Sequence, residues 1–139
     1  MDFKNIRNGF LAWSIIVIFV LAGCATATGP ADASAEETAE FNTLAPERVD
    51  IRGSILSAQY YQGQVMLEVE GYAGDLNSRY RRAFVLVLPT VQILKPDGKT
   101  ISLHELRQGQ DVAIVLRGGG RGSFVGVGEA RRMWIEERL

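Results

Sequence analysis

The sequence predicts an all-β domain, a small five-stranded antiparallel barrel with one short helical turn, preceded by a signal peptide and a flexible tether. Two observations predict the barrel. Short apolar segments, some of them with alternating polarity, recur from residue 49 onward and are separated by glycine-containing turns. No part of this region has the periodicity of a long helix. Because five such strands have no helix to cover them, we expect their sheet to curl into a closed or partly open barrel.

The first 24 residues combine a basic start with a short apolar segment. Lys4 and Arg7 precede the 12 residues Leu11–Ala22, whereas a membrane span needs about 20 apolar residues. This length is typical of the apolar region of a secretory signal peptide. The segment ends in Leu21-Ala22-Gly23-Cys24, which resembles the lipobox of bacterial lipoprotein signal peptides. The resemblance implies that residues 1–23 are cleaved off and that the Cys24 thiol carries a diacylglyceryl group.

Cys24 is the only cysteine of the chain, so it has no partner for an intramolecular disulfide and cannot build a cysteine zinc cluster. An uncleaved signal anchor and an ordinary secretory signal with a free cysteine are the alternatives. The resemblance implies a lipid-anchored protein of the cell envelope. Ala25, in place of an aspartate, favours the outer membrane facing the periplasm in a cell with two membranes. In a cell with one membrane, the expected location is the outer face of the cell membrane.

Residues 24–45 are predicted to form the lipidated cysteine and a flexible acidic tether, followed by the barrel domain over residues 46–139. The tether is rich in small polar residues and carries four acidic side chains, Asp32, Glu36, Glu37 and Glu40. Such a composition buries too little apolar area to offset the entropy of ordering. A short amphipathic helix over Ala33–Phe41 is the alternative.

The first two predicted strands form a hairpin. Val49–Tyr61 is rich in residues that favour β-structure and is predicted to bend at Gly53, and Gln62-Gly63 is predicted to form a tight turn. Val65–Glu70 alternates strictly, so its apolar side chains share one face and its acids the other.

The third strand follows a loop over Gly71–Tyr80. Ala83–Leu88 is continuously apolar, which indicates a strand with both faces covered. Pro89 interrupts the strand, and Val91–Leu94 resumes it.

A turn and a short helical segment come next. Lys95-Pro96-Asp97-Gly98 has the residues of a tight turn. Ser102–Arg107 is predicted to form one helical turn, because Ser102 and Glu105 have the spacing of a capping box. Gly109 ends this turn.

The last two strands flank a glycine-rich loop. Val112–Arg117 alternates as a strand, and Gly118–Gly128 is the loop. Ala130–Glu137 is the final strand, with Met133 and Ile135 as its inward pair.

This order of elements, with its single helical turn between the third and fourth strands, resembles the OB-fold. Three short motifs look like small OB-like domains of unknown function found on bacterial lipoproteins. They are Arg52-Gly53-x-Ile55, Thr90 before a hairpin, and Leu106-x-x-Gly109-Gln110-x-Val112. The resemblance spans most of Val49–Ile135. It implies a fold rather than an activity, because OB barrels serve many functions.

The candidate binding residues are Tyr61 in the first hairpin and Arg117, Arg121 and Phe124 in or beside the glycine-rich loop. In OB barrels these two loops are expected at one pole, beside the face of the second and third strands where oligomers bind. Aromatic rings and guanidinium groups together suit a saccharide or an anionic ligand. The sequence therefore predicts a ligand site at this pole.

Catalysis has little support in the sequence. His104 is the sole histidine available as a general base, and no serine lies in a nucleophile-elbow motif. Glu68 and Glu70 share the polar face of a strand, which is typical of a solvated exterior. Gly118–Ser123 lacks the Gly-Lys-Ser/Thr ending of a phosphate-binding loop. We expect no enzymatic activity, no cofactor and no metal.

The expected function is a non-enzymatic binding module of the cell envelope, for a saccharide or an anionic ligand. The alternative is a structural or assembly subunit that docks on an envelope protein complex. The expected partners are the membrane, through the lipid on Cys24, and an envelope protein or polysaccharide. Nucleic acid is not expected, because the chain has 15 basic and 16 acidic side chains and a net charge of −1.

Overall fold

A computed structural model describes residues 40–139, so the predictions for the signal peptide and for Cys24 lie outside the described residues. The strands are β1 (Phe41–Asn42), β2 (Ile51–Tyr61), β3 (Gln64–Gly71), β4 (Arg82–Val87), β5 (Ile93–Leu94), β6 (Thr100–Ile101), β7 (Asp111–Leu116) and β8 (Val125–Arg138). A 3-10 helix, η1 (Leu103–Glu105), lies between β6 and β7, and a second 3-10 turn, η2 (Arg117–Gly119), follows β7.

Five of these strands close into a barrel in the order β4-β3-β2-β7-β8, with β4 returning to β8. This confirms the predicted five-stranded OB-like barrel. The closing pair is parallel, with Phe84 opposite Val127, whereas the other four pairs are antiparallel. The sheet is therefore mixed rather than wholly antiparallel. The reason is that β5, β6 and η1 carry the chain past one end of the barrel, so that β4 and β8 both start from the other end.

The core lies inside the barrel and is formed by the inward side chains of all five strands. Met133 and Ile135 are among the buried residues, as predicted for the last strand. η1 covers one end of the barrel with Leu103, which is buried. Its predicted capping box is present, since Glu105 accepts a hydrogen bond from the Ser102 backbone at 3.0 Å.

The prediction that both faces of the third strand are covered is wrong. In β4, Ala83, Val85 and Val87 are buried, but Phe84 is 39% exposed. The strand therefore alternates like the wall of a barrel, with one face in the core and one face outside. A continuous apolar sequence concealed this alternation, because the outward positions of β4 also carry apolar side chains.

The segment 41–49, here called the strap, crosses the outside of the barrel. Residues 41–45 belong to the predicted tether, but Phe41 and Asn42 form β1 against the end of β8. Farther along the strap, Ala45 and Val49 pack in a small outer cluster with Trp134 of β8. Residues of the predicted tether thus pair with the last strand of the barrel.

An aromatic cluster fastens the start of the strap. The Phe41 ring stacks on Tyr72 with 5.2 Å between ring centroids, and the Arg138 guanidinium lies over both rings. Asp111 accepts a hydrogen bond from the Tyr72 hydroxyl and pairs with Arg138 Nε at 3.2 Å. Burial, together with the bond to Asp111, raises the pKa of Tyr72 above its ordinary value.

A buried ion pair fastens the middle of the strap. The Glu136 side chain has no exposed surface, and both of its oxygens lie within 3.2 Å of Arg52 Nε. The two terminal nitrogens of Arg52 donate to the backbone carbonyls of Pro46 at 2.9 Å and Glu47 at 3.0 Å. Arg52 therefore links β2, β8 and the strap at one point.

Candidate ligand-binding site

The structure separates Tyr61 from the other predicted site residues. Ile51 of β2 pairs with Ile114 near the end of β7, just before the loop that holds Arg121 and Phe124. Tyr61 lies ten residues farther along β2, or roughly 30 Å of strand. The barrel thus has a hairpin end, formed by the β2–β3 turn and η1, and an opposite end.

We call the opposite end the arginine end; it comprises residues 48–50, 72–81 and 117–124. The expectation that all four residues share one pole is wrong, because β2 runs the length of the barrel and the two loops open at its opposite ends. Arg117, Arg121 and Phe124 remain together at the arginine end.

At the hairpin end, the exposed aromatic surface is small. Tyr61 is 72% exposed, whereas the Tyr60 hydroxyl donates to the backbone carbonyls of Leu103 and Leu106. The Tyr60 ring stacks on His104 with 5.8 Å between centroids. His104 thus packs at the edge of η1 beside a tyrosine that helps to hold the helix in place.

The arginine end is built around Tyr80. Its ring is buried in the barrel mouth beneath Gly126, where a Cβ would lie 2.6 Å from the ring. The Tyr80 hydroxyl donates to the Gly119 carbonyl at 3.0 Å, and Arg79 donates to the same carbonyl. The Arg79 guanidinium also lies over the Tyr80 ring, 4.9 Å from its centroid. These contacts join the β3–β4 and β7–β8 loops.

The glycines of the β7–β8 loop have a conformational role. Four of them have positive φ, namely Gly118, Gly119, Gly120 and Gly122, a region that L side chains disfavour. Arg121 then exchanges two backbone hydrogen bonds of 2.9 Å with Val127. Phe124 lies in the turn that this bridge closes and is 86% exposed.

A shallow groove of about 440 Å³ lies beside this loop. It is lined by Arg48, Val49, Asp50, Leu76, Asn77, Ser78, Arg79 and Val115. Leu76 is 96% exposed. The groove therefore combines the guanidinium groups of Arg48 and Arg79 with the solvent-exposed side chain of Leu76.

The carboxylates at this end of the barrel already have partners. Asp50 accepts a backbone N–H from the last residue of β7 at 2.7 Å. Asp75 accepts a backbone N–H at 2.9 Å and a serine hydroxyl at 2.6 Å within its own loop. The adjacent Glu129 pairs with Arg117 at 3.1 Å. These bonds hold the loops and occupy the oxygens that would otherwise pair with the remaining arginines.

Three arginines at the arginine end are left free. Within residues 40–139, the side chains of Arg48, Arg81 and Arg121 have neither a hydrogen bond nor an ion-pair partner. All three residues are exposed. Their guanidinium groups are available to a ligand.

A second exposed surface lies on the outside of β3, β4 and β8. We call it the Phe84 face; its apolar residues are Met66, Phe84, Leu86, Val125 and Val127. Cross-strand pairing places Phe84 beside Val127. Glu68, on the same face, pairs with Arg82 at 2.9 Å. The acids of β3 therefore lie on the barrel exterior, in agreement with the sequence interpretation.

Sequence reasoning missed Arg48, Arg79 and Leu76. Arg79 lies next to the basic cluster Arg81-Arg82, which was a usable signal. No local sequence pattern marks Arg48 or Leu76 as site residues, because they come close to the β7–β8 loop only when the barrel closes.

Among residues 40–139, no three histidine, cysteine or acidic side chains are grouped so that they could hold a metal ion. In the same part of the chain, no helix has the length and apolarity needed to span a membrane.

Comparison of the chain with protein-family models, with curated proteins and with solved structures finds no match. The functional argument therefore depends on the chain's own residues and geometry.

Proposed function

We propose that this chain is a lipid-anchored module of the cell envelope whose OB-like barrel binds an anionic ligand, without catalysis, at the arginine end. The observation that carries the proposal is the set of free guanidinium groups of Arg48, Arg81 and Arg121, beside carboxylates that already have partners. Guanidinium groups bind carboxylate, sulfate and phosphate through paired hydrogen bonds.

The shape of this end supports binding of an extended ligand. The groove is shallow and open, and Phe124 is exposed in the β7–β8 loop, to which the groove residue Arg79 is bonded through the Gly119 carbonyl. A ring of this kind can lie against a sugar or another apolar part of a ligand. An acidic polysaccharide fits these features better than a neutral one, because three free cations would otherwise have no counter-charge. Tyr61 is not part of this proposal.

Lipid anchoring is tested with the native protein beside a Cys24→Ala variant. We expect wild-type protein to begin at residue 24, to carry acyl mass and to fractionate with membranes, because two or more acyl chains give stable anchoring. The variant is expected to keep its signal peptide and to lack acyl mass. Intact-mass spectrometry and membrane fractionation measure both properties. Unacylated wild-type protein that retains Met1 would contradict the anchor.

Ligand binding is tested with dextran sulfate, using neutral dextran as the matched probe. We expect unacylated chain 24–139 to bind only the sulfated polymer. Arg48→Ala with Arg121→Ala should weaken that binding by about tenfold or more, since a hydrogen bond to a charged group contributes roughly 1.5–3 kcal/mol. Lys95→Ala with Arg107→Ala removes the same charge away from the arginine end and is expected to change binding little. Isothermal titration measures each of these three proteins with each of the two polymers.

The second candidate is an accessory subunit that docks on an envelope protein through the Phe84 face. It is favoured by the outward apolar side chains of β4 and β8, because exposed apolar patches commonly mark interaction sites. A photo-crosslinker at position 84 would then recover one stoichiometric envelope protein. If it does, and if dextran sulfate does not bind, the anionic-ligand proposal is wrong and the docking function replaces it.

A further inference from the structure

We infer that the arginine end docks on the surface of a bilayer that contains anionic lipids, with Leu76 and Phe124 entering the interface. The inference rests on the proposed function and names its ligand as the lipid headgroup surface. It comes from Leu76, to which the proposed function gives no role, and from the exposed ring of Phe124.

Leu76 and Phe124 are the two most exposed large apolar side chains of the described residues, at 96% and 86%. Each lies in a loop rather than on a strand. The two loops belong to the same end of the barrel, because the Gly119 carbonyl accepts hydrogen bonds from both Arg79 and Tyr80. The barrel therefore presents two apolar residues from loops that are bonded to each other.

The charge around these two side chains complements an anionic surface. Arg48 and Arg79 line the groove together with Leu76, and Arg121 precedes Phe124 in the same turn. Apolar residues flanked by cationic ones are typical of segments that bind the membrane interface, where burial of apolar area adds to attraction by anionic lipids. The Phe84 face lacks this arrangement, since Arg82 is paired with Glu68 there.

The chain between Cys24 and the barrel is long enough for this orientation. The strap begins beside the C-terminal end of β8, as Leu139 N donates to the Glu40 carbonyl. Arg48 of the arginine end lies seven residues farther along the strap from Phe41, a distance of at most about 25 Å. The 16 peptide units from Cys24 to Glu40 can span up to about 55 Å. A lipid on Cys24 therefore permits the arginine end to face the membrane.

The test uses unacylated chain 24–139 with Cys24→Ser, because the closed barrel and its core lie within this part. Vesicles that contain phosphatidylglycerol are compared with vesicles of phosphatidylcholine alone, and binding is measured by co-sedimentation. We expect binding to the anionic vesicles only, and weaker binding as salt is raised. Leu76→Ser with Phe124→Ser is expected to reduce the affinity by roughly tenfold or more. Tyr61→Ser, at the hairpin end, is the matched control and is expected to bind like the parent.

The outcomes separate this inference from the proposed function. If dextran sulfate binds but the anionic vesicles do not, the membrane inference fails and the proposed function stands. If neither binds, both fail. If vesicle binding is lost with Arg48→Ala and Arg121→Ala but unchanged in the Leu76→Ser, Phe124→Ser variant, the two apolar side chains do not enter the interface and the inference is overturned.

Discussion

Replacing Arg52 with methionine is expected to lower the free energy of unfolding by about 3–5 kcal/mol, the usual cost of leaving a buried charge without its partner. Glu136 has no exposed side-chain surface, and Arg52 Nε is the group that lies within 3.2 Å of both its oxygens. The same substitution also removes the two guanidinium nitrogens that donate hydrogen bonds to the carbonyls of Pro46 and Glu47. Urea unfolding measures the loss.

The double variant Arg52→Met, Glu136→Met is the control for this prediction. It removes both charges and replaces them with apolar groups of similar length, so we expect it to recover a large part of the stability that Arg52→Met loses. Its strap should still be cut faster by protease than that of wild type, since the bonds to residues 46 and 47 remain absent. Equal stability of the single and double variants would show that the unpaired carboxylate is not the cause.

Arg52 illustrates what a sequence can and cannot indicate about this fold. The motif Arg52-Gly53-x-Ile55 was visible, and the strand that contains it was predicted within two residues of its observed start. The partner, Glu136, is 84 residues away. Nothing in the local pattern distinguishes the buried Glu136 from the exposed Glu137, because the burial of Glu136 depends on a partner in a strand far away along the chain.

The candidate binding site could be predicted only in part, for a related reason. The glycine-rich loop with Arg121 and Phe124 was identified from composition alone. Its distance from Tyr61 depends on the register between β2 and β7, which places Ile51 opposite Ile114. Such register is a property of the closed barrel, so strand order by itself does not determine which loops lie together. Leu76 likewise comes to lie in one groove with Arg48 and Arg79 only when the barrel closes.

The strap is the segment that connects the barrel to the proposed lipid anchor. Any lipid on Cys24 is connected to the barrel through residues 41–49, and these are fastened by the Arg52–Glu136 pair and by the Tyr72 cluster. A variant that loosens the strap lengthens the connection to the membrane and also frees Arg48, which belongs to both the strap and the arginine end. Arg52→Met is therefore expected to weaken dextran sulfate binding by no more than Arg48→Ala does, in the temperature range where the barrel remains folded.

Replacing Gly53 with alanine is expected to destabilise the barrel by about 3 kcal/mol or more, because extra atoms in a closely packed position force the backbone to move. A Cβ at residue 53 would lie 1.9 Å from the Glu70 carbonyl oxygen and 2.7 Å from the Gly71 Cα. These are backbone atoms of β3, so no side-chain rotation relieves the overlap. The two strands would have to separate where β2 pairs with β3 on one side and β7 on the other.

Two neighbouring substitutions make the Gly53 prediction specific. Ser54→Ala changes the next residue of β2 without adding a backbone overlap and is expected to shift the melting temperature little. Gly71→Ala is expected to cost less than Gly53→Ala, since its nearest contacts are at 3.1 Å rather than 1.9 Å. Thermal unfolding, followed by circular dichroism, ranks the melting temperatures of the three variants. If Gly53→Ala has the same melting temperature as wild type, β2 and β3 are not in this close backbone contact. Glycine at this position would then serve only the bend that the sequence suggested.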